Sequence, residues 1–361
     1  MRTGQRARCW HSLVAGILIL TRGGAQALLH PDVCEAVHAD YFGLGAEVVI
    51  TNTYASNRLI LEAAGYGDET GQTNTVACER AIAARASSGT DDSLVVGSIS
   101  CHQPCENLPC TSVGFVGPAV RLLHKAEVSL PARRGDDGGG RSWPEDPSVE
   151  TAAFREQAEL LAAGGVDAIF LEMITQPERG LRCVAAALTV GLPVFVGLVC
   201  SRYTSNVDGS LQEGAEWSED RPAYIGGAGR EDGEESSSFA SGPADESTVE
   251  NVVAAVLALP GAAEGIAGFH IHHTKIYSTG HACRAVRAAG WTGPLGAYPD
   301  HGDFEMPHWQ FHELSGELLV ENAREWVETA GVSMLGGCCG IGPDHIEALR
   351  GLCEESTASR A

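Results

Sequence analysis

Residues 160–173, LLAAGGVDAIFLEM, contain in one short stretch the pattern that decides the fold. Leucine and alanine residues typical of a helix end at a Gly-Gly pair, which is a common stop signal at a helix C-terminus. An apolar run without polar alternation follows, as expected for a parallel strand covered on both faces. The strand ends at Glu172, where a carboxylate needs either a structural partner or a function such as binding a substrate ammonium group.

The same order of strand, turn and helix recurs along the chain. The predicted strands are 46–54, 93–100, 166–173, 192–200, 266–274, 293–299 and 332–339, and three of the predicted helices are 151–165, 246–259 and 317–331. Seven strands, or eight if residues 16–20 form the first one, predict an α/β fold of the (β/α)8 TIM-barrel type. A doubly wound sheet is the alternative, but no G-x-G-x-x-G sequence follows an early strand.

Three segments depart from this pattern. Residues 132–148 and 219–247 are rich in Gly, Ser and acidic residues, so we predict two long polar loop insertions that do not join the core. Residues 1–27 have a basic start and a short apolar run, which indicates either a degraded first strand or a targeting peptide. The barrel domain is predicted to occupy residues 28–355.

The composition limits the classes of partner. A formal net charge of -23 argues against nucleic acid, because phosphate binding needs a basic surface. No stretch reaches the ~18 consecutive apolar residues of a membrane span. The 12 cysteines are scattered, several of them in apolar runs, which favours reduced thiols and a cytoplasmic protein. Organellar or secretory targeting by residues 1–27 is the alternative, and a homo-oligomer is compatible with the sequence.

The carboxyl ends of the strands in such a barrel share one pocket. At these ends stand Asn52, Thr53, Tyr54, Ser98, Ser100, Glu172, Cys200, His272, His273, Tyr298, Asp300, Cys338 and Cys339. Cysteine and histidine side chains converging on one pocket predict a soft-metal site, for which zinc is the first candidate.

Cys338 and Cys339 are the central pair of this predicted site. Neighbouring side chains on a regular strand face opposite ways, so the two thiols can serve one site only where the flanking glycines permit a turn. A vicinal disulfide or two unrelated buried hydrophobes are the alternative interpretations. Two thiolates do not complete a zinc site, and His273 and Cys200 are the candidates for a third ligand. His272 is expected to face the surrounding helices.

Several segments together resemble the homocysteine S-methyltransferase family over about residues 28–352. They are HADYFGLGAEVVITNTYASN (38–57), LLAAGGVDAIFLEM (160–173), AYPDHGDF (297–304) and GGCCGIGPDHI (336–346). The resemblance implies a (β/α)8 barrel and a catalytic Zn²⁺ ion bound by three cysteines, two of them corresponding to Cys338 and Cys339. His273 stands where the third cysteine is expected. Because imidazole is a good zinc ligand, we favour His273 over Cys200.

The resemblance also implies a reaction and its substrates. It predicts transfer of a methyl group from a sulfonium or quaternary ammonium donor to the thiol of homocysteine, giving methionine. Glu172 corresponds to the acid that holds the amino group of homocysteine. Asn52, Thr53 and Tyr54 correspond to pocket residues after the second strand, and Tyr298 to one on the seventh strand.

The start of the chain departs from the family pattern. The Asp-Gly-Gly element expected at the end of the first strand is reduced to two glycines in ILILTRGGAQ. A catalytically impaired barrel that keeps a metal- or thiol-binding site is therefore the main alternative function. A zinc hydrolase is a further alternative, although two thiolates make a metal ion a poorer activator of water.

Overall fold

The strands of the molecule follow the predicted apolar runs. The computed structural model describes residues 8–12, 25–101, 146–201, 223–225, 248–305, 308–311 and 314–358. In chain order the strands are β1 (Arg8–Ser12), β2 (Val48–Ile50), β3 (Leu94–Ser100), β4 (Ala168–Ile174), β5 (Val194–Leu198), β6 (Cys200–Ser201), β7 (Tyr224–Ile225), β8 (Ile266–Lys275), β9 (Leu295–Asp300), β10 (Gly302–Glu305), β11 (His308–Phe311) and β12 (Met334–Leu335).

Eight of these strands close into a parallel barrel in the order β1-β12-β9-β8-β5-β4-β3-β2. The barrel closes because β1 pairs in parallel with both β12 and β2. The prediction of a (β/α)8 barrel is confirmed, and the doubly wound sheet is ruled out. The strand that completes the barrel is β1, upstream of residues 16–20, which lie outside the described residues.

Helices cover the outside of the barrel. They are α1 (Gln26–Leu29), α2 (Pro31–Gly43), α3 (Arg58–Ala63), α4 (Thr70–Ser87), α5 (Pro147–Ala163), α6 (Pro177–Leu188), α7 (Val249–Leu257), α8 (Ala262–Gly265), α9 (Ile276–Ala288), α10 (Gly316–Ala330) and α11 (Pro343–Ala358), with a 3-10 turn at Gly67–Glu69. Side chains of Asp146, Thr248 and Ser315 accept backbone N–H groups at the starts of α5, α7 and α10. No helix within the described ranges is long and apolar enough to span a membrane.

The core has two layers. The larger lies between sheet and helices, and the smaller fills the barrel with residues such as Val48, Ile50, Phe170, Phe195, Tyr298 and Met334. His270 lies in this interior, edge-on to Phe170 at 4.9 Å and to Phe195 at 5.5 Å between ring centroids. Its ring uses the space beside Gly296, where a Cβ atom would collide with it.

The two predicted insertions are only partly within the described residues. Residues 132–145 lie outside them, and Pro147 already begins α5 instead of belonging to a loop. In the second insertion, β7 pairs antiparallel with β6, and Ala223 and Ile225 are buried in the outer core. The prediction that this whole segment avoids the core is therefore wrong for Ala223 and Ile225, because these two residues supply apolar surface within the polar run.

Candidate metal centre

Three predicted ligands converge at the carboxyl ends of β8 and β12. His273 Nδ1 lies 3.4 Å from Cys338 Sγ and 3.5 Å from Cys339 Sγ. The two sulfur atoms are 3.7 Å apart, and both cysteines are free thiols. Neither a vicinal disulfide nor unrelated packing of the two thiols describes this arrangement.

The spacing of the three donor atoms suits a zinc ion. Bond lengths of about 2.3 Å to sulfur and about 2.05 Å to nitrogen at tetrahedral angles give sulfur–sulfur separations of about 3.8 Å and sulfur–nitrogen separations of about 3.6 Å. The observed separations of 3.7, 3.4 and 3.5 Å agree with these values. Two thiols and one imidazole therefore fit three corners of a tetrahedron, which leaves the fourth corner for another ligand.

A backbone turn lets both adjacent cysteines face one point. The Cys338 N–H donates to the Pro299 carbonyl at 2.7 Å, and the His301 N–H donates to the Cys339 carbonyl at 2.8 Å, so the segment stays anchored to the end of β9. The Ile341 N–H donates back to the Cys338 carbonyl at 3.2 Å, and Gly340 has a φ of +78°. The predicted role of glycine in this turn is thus confirmed at Gly340.

The end of β8 brings His273 into the same pocket. His273 has a φ of +45°, which is unusual for a residue other than glycine, and the pairing of β8 with β9 shifts register between His272 and Lys275. This irregularity breaks the alternation of side chains, so His272 and His273 both lie on the inner side. The prediction that His272 faces the helices is wrong for this reason.

His272 lies beneath the metal centre in the barrel. Its Nε2 atom is 3.0 Å from Glu172 Oε2, and its ring stacks on Tyr298 at a centroid distance of 5.2 Å. Burial opposes protonation of His272, but the neighbouring Cys338 and Glu172 outweigh it and raise the pKa of His272 to about 9.

Burial and neighbouring charges shift the pKa values of two of the three donors. Burial raises the pKa of Cys338 far above its usual value, and the adjacent Cys339 adds to this effect. Burial opposes protonation of His273, yet Asp300 and Cys338 outweigh it and raise the pKa of His273 to about 8. A bound cation would favour the thiolate form of Cys338.

Glu172 lies at the end of β4, fully buried. Ser98 Oγ donates to its Oε1 atom at 2.5 Å, while Oε2 faces His272. Met173 follows with a φ of +58°, and the pairing of β4 with β5 shifts register here. The contacts of the Glu172 carboxylate are thus a hydroxyl group and an imidazole.

The three predicted residues after β2 have different surroundings. The Tyr54 hydroxyl is hydrogen-bonded to Ser100 and lies near Glu172 and the cysteine pair; burial raises the pKa of Tyr54. Thr53 Oγ1 donates to the Ser98 carbonyl at 2.8 Å and so ties this loop to β3. Asn52 Nδ2 donates to the Cys34 thiol on α2 at 3.3 Å. Of the three, Tyr54 is therefore the residue whose hydroxyl group is influenced by the charges of Glu172 and the cysteine pair.

Cys200, the alternative third ligand, lies elsewhere. It is buried in the outer core between the sheet and the helices. Its backbone N–H donates to Thr274 Oγ1 at 2.9 Å. Among the described residues, the group of His, Cys, Asp and Glu side chains whose ligand atoms lie within 4.8 Å of one another contains His273, Cys338 and Cys339.

One neighbour of the centre was missed by the sequence reasoning. Lys275 Nζ lies 3.0 Å from Asp300 Oδ2, and this oxygen is 3.9 Å from His273 Nδ1. Asp300 was among the predicted strand-end residues, but no role was assigned to it. Lys275 directly follows the predicted strand 266–274. A basic and an acidic residue ending adjacent strands were the signal for this pair.

Comparison with known proteins agrees with the motifs. The sequence model described as Homocysteine S-methyltransferase matches residues 5–229 and 231–353, so the match begins upstream of the 28–352 resemblance and includes β1. The crystal structure of the homocysteine methyltransferase MmuM from Escherichia coli in its metallated form has 19% identity, a TM-score of 0.57, and coverage of 91% of this chain and 88% of that chain. The oxidized form of MmuM has 18% identity and a TM-score of 0.60, with coverage of 97% of this chain and 97% of that chain. At these identities the structural likeness concerns the fold.

Proposed function

The chain belongs to the homocysteine S-methyltransferase family, and from this premise we propose that it methylates the thiol of L-homocysteine to give methionine. The proposed methyl donor is a sulfonium or a quaternary ammonium compound. The observation that carries the proposal is the cluster of His273, Cys338 and Cys339, because its donor spacing suits a metal ion with one further ligand position.

We propose zinc as the metal, held by His273 Nδ1 and the sulfur atoms of Cys338 and Cys339. Bound there, zinc would supply the positive charge that favours the thiolate form of homocysteine at neutral pH, and the thiolate is the nucleophilic form. The three side chains come from a strand end and a turn that are fixed by backbone hydrogen bonds, so the protein contributes positioning of the reacting thiol.

Aromatic residues beside the centre suit a cationic methyl donor. Tyr54 and Tyr298 both pack in the interior cluster that contains the two cysteines. The faces of aromatic rings attract methylated cations, and burial strengthens the attraction because water is absent. We propose that Tyr54 and Tyr298 bind substrate, while Asn52 and Thr53 shape this side of the pocket through their hydrogen bonds to Cys34 and Ser98.

Glu172 is proposed to present a negative charge to a cationic group of a substrate. Ser98 holds one carboxylate oxygen and His272 faces the other, so the side chain is fixed before any substrate arrives. A carboxylate has about four acceptor positions, so these two contacts leave capacity for an ammonium or sulfonium group.

The first test is the zinc content of the purified protein beside Cys338→Ala, His273→Ala and Cys200→Ala. We expect about one zinc ion per chain in the wild type and in Cys200→Ala, and loss of zinc in the other two variants. Loss of zinc in Cys200→Ala, with zinc kept in His273→Ala, would identify Cys200 as the third ligand instead of His273.

Methyl transfer is then assayed with homocysteine and with S-methylmethionine, S-adenosylmethionine or betaine as donor. Methionine formed with one of these donors supports the proposal. Zinc binding without methionine formation from any donor would favour the impaired barrel. A folded wild-type protein without zinc would contradict the metal-dependent reaction.

A further inference from the structure

Two buried amide side chains hold the connection from β2 to α3, which carries Tyr54. Gln157 on α5 and Asn74 on α4 are both fully buried. Gln157 Nε2 donates to the Thr53 carbonyl at 2.8 Å, and Asn74 Nδ2 donates to the Ser56 carbonyl at 2.8 Å. The two acceptors lie on either side of Tyr54 in the chain, so the backbone is held both before and after this residue.

The bond from Gln157 acts directly on the backbone of Tyr54. The Thr53 carbonyl and the Tyr54 N–H belong to one planar peptide unit, so holding this oxygen fixes the direction from which the chain enters Tyr54. Gln157 Nε2 also lies 3.4 Å from the Ser98 carbonyl and 3.4 Å from Asn74 Oδ1. One amino group therefore links the connection to both β3 and α4.

The Gln157 amide is only half satisfied. Its Oε1 atom is buried and has no hydrogen-bond partner within the described part of the chain. An unpaired buried amide oxygen lowers stability, and such atoms are uncommon in native proteins. The fold therefore keeps Gln157 for its N–H groups, which reach the Thr53 carbonyl, although the oxygen of the same amide contributes no bond.

The other end of Tyr54 lies at the proposed substrate pocket. Its ring packs against the interior cluster that contains Cys338 and Cys339, and its hydroxyl group is hydrogen-bonded to Ser100. A ring that is fixed before a ligand arrives binds it more tightly, because less conformational freedom is lost on binding. The orientation of Tyr54 is thus set by its backbone on one side and by Ser100 on the other.

We infer that Gln157 is a positioning residue that holds Tyr54 for the methyl donor, with Asn74 as the second fixing point. Neither amide contacts the donor in this assignment, since both act through the backbone of the connection. The part that concerns the donor rests on the proposed function, whereas the orientation of Tyr54 can be measured without any substrate.

The first test reads the Tyr54 ring by fluorine NMR. 3-Fluorotyrosine is incorporated in place of Tyr54 in the otherwise wild-type protein and in Gln157→Met, which keeps the side-chain length but has no N–H group. We expect one sharp signal in the first protein. In Gln157→Met the signal should shift towards that of free fluorotyrosine and broaden, because the ring samples several orientations. Asn74→Leu should cause a smaller change in the same direction.

A matched control separates this effect from a general loss of stability. Val253→Ala removes buried apolar volume from α7, which packs against α6 and α9 instead of the Tyr54 connection. It should lower the melting temperature and leave the fluorine signal unchanged. An unchanged signal in both Gln157→Met and Asn74→Leu would overturn the inference. If Gln157→Met does not fold, Gln157→Glu, which has the same shape and lacks the amide N–H groups, takes its place.

The second test measures methionine formation with the donor that the wild type accepts among S-methylmethionine, S-adenosylmethionine and betaine. Gln157→Met should raise the donor KM by about 5-fold, as expected for loss of one neutral hydrogen bond, while kcat and the zinc content stay within about 2-fold. In a Tyr54→Leu background, the same change should alter the donor KM by less than about 2-fold, because its effect requires the missing ring.

The kinetic outcome can also count against the inference. A 5-fold effect of Gln157→Met in both backgrounds would mean that Gln157 does not act through Tyr54, and loss of zinc would mean that it supports the metal centre. If the wild type formed no methionine with any donor, the proposed function would fail. The fluorine signals would still decide whether Gln157 positions Tyr54, so the two failures are distinguishable.

Discussion

The ends of β4 and β8 use the same backbone irregularity in different ways. Each contains one non-glycine residue with positive φ, Met173 at +58° and His273 at +45°, and each shifts register against its neighbouring strand. In β4 the left-handed residue is a buried methionine that follows Glu172. In β8 the left-handed residue carries the candidate ligand itself.

This difference shows how a strand can deliver one or two side chains to the same pocket. A regular strand presents every second residue to the barrel interior. The irregularity in β8 adds His273 to the inward-facing His270 and His272. In β4, Glu172 is the polar residue of the strand end, where it contacts Ser98 and His272. Positive φ at ordinary residues costs about 1 to 3 kcal/mol and is typical of functional sites.

The largest expected effect separates the two neighbouring histidines of β8. His273→Ala should weaken zinc binding by more than about 100-fold because a ligand is lost, whereas His272→Ala should weaken it by about 10-fold or less because that ring only borders the centre. Competition with a chromophoric chelator measures both affinities. Equal losses in the two variants would mean that His272 is itself a ligand.

A smaller effect concerns the regular part of β8. In Gly296→Ala the new methyl group would collide with the His270 ring, so the free energy of unfolding should fall by about 3 kcal/mol. Urea denaturation measures the change. Adding His270→Ala should recover part of the loss, and Gly43→Ala, which meets no atom within 4 Å, is the control expected to be neutral or slightly stabilising.

The end of β4 can be tested with two isomeric side chains. Met173→Ile should be less stable than Met173→Leu by about 1 to 2 kcal/mol, because branching at Cβ is poorly tolerated at positive φ. Both variants have the same number of atoms, so the comparison isolates backbone strain. Equal unfolding free energies would indicate that the backbone at residue 173 relaxes.

The smallest effect uses a histidine remote from both strand ends. His38 on α2 is fully buried, and burial lowers its pKa to about 3. Because the unfolded chain binds this proton near pH 6.5 and the folded chain does not, stability falls as the pH drops below 6.5 towards 3. Between pH 7 and pH 5.5 the contribution of His38 is a loss of about 1 kcal/mol.

The comparison is made with His38→Gln. The unfolding free energy of the wild type should fall by about 1 kcal/mol more than that of the variant over the same pH interval. Using the change with pH instead of the absolute stability removes the packing cost of the substitution. An identical pH dependence in both proteins would contradict a buried neutral His38.

The repeated pattern of helix stop, apolar run and polar end was sufficient to predict the barrel. It also predicted that Cys338 and Cys339 share a turn, because the flanking glycines are visible in the sequence. β1 was not found at its observed position, since RCWHS at Arg8–Ser12 is neither continuous nor strongly apolar. Its place in the barrel depends on pairing with β2 and β12, and such long-range contacts leave no local signal.

The orientation of His272 could not be predicted for a related reason. Strict alternation was the correct assumption for a regular strand, and only the positive φ at His273 overturns it. Nothing in HIHHT says which of its three histidines takes that conformation, although histidine adopts positive φ more readily than most residues other than glycine. The Lys275–Asp300 pair likewise depends on which residues the register of β8 and β9 places side by side.

The pairing of β1 with β12, which closes the barrel, has a consequence for the order of assembly. β1 and β12 are separated by most of the sequence, so their pairing carries a high loop-closure cost and is expected late in folding. Cys338 and Cys339 follow β12 directly and face a residue of β8. The three donors come together through β8, β9 and β12, so metal uptake by a refolding chain should require the pairing of β12 with β9 and should precede closure of the barrel by β1.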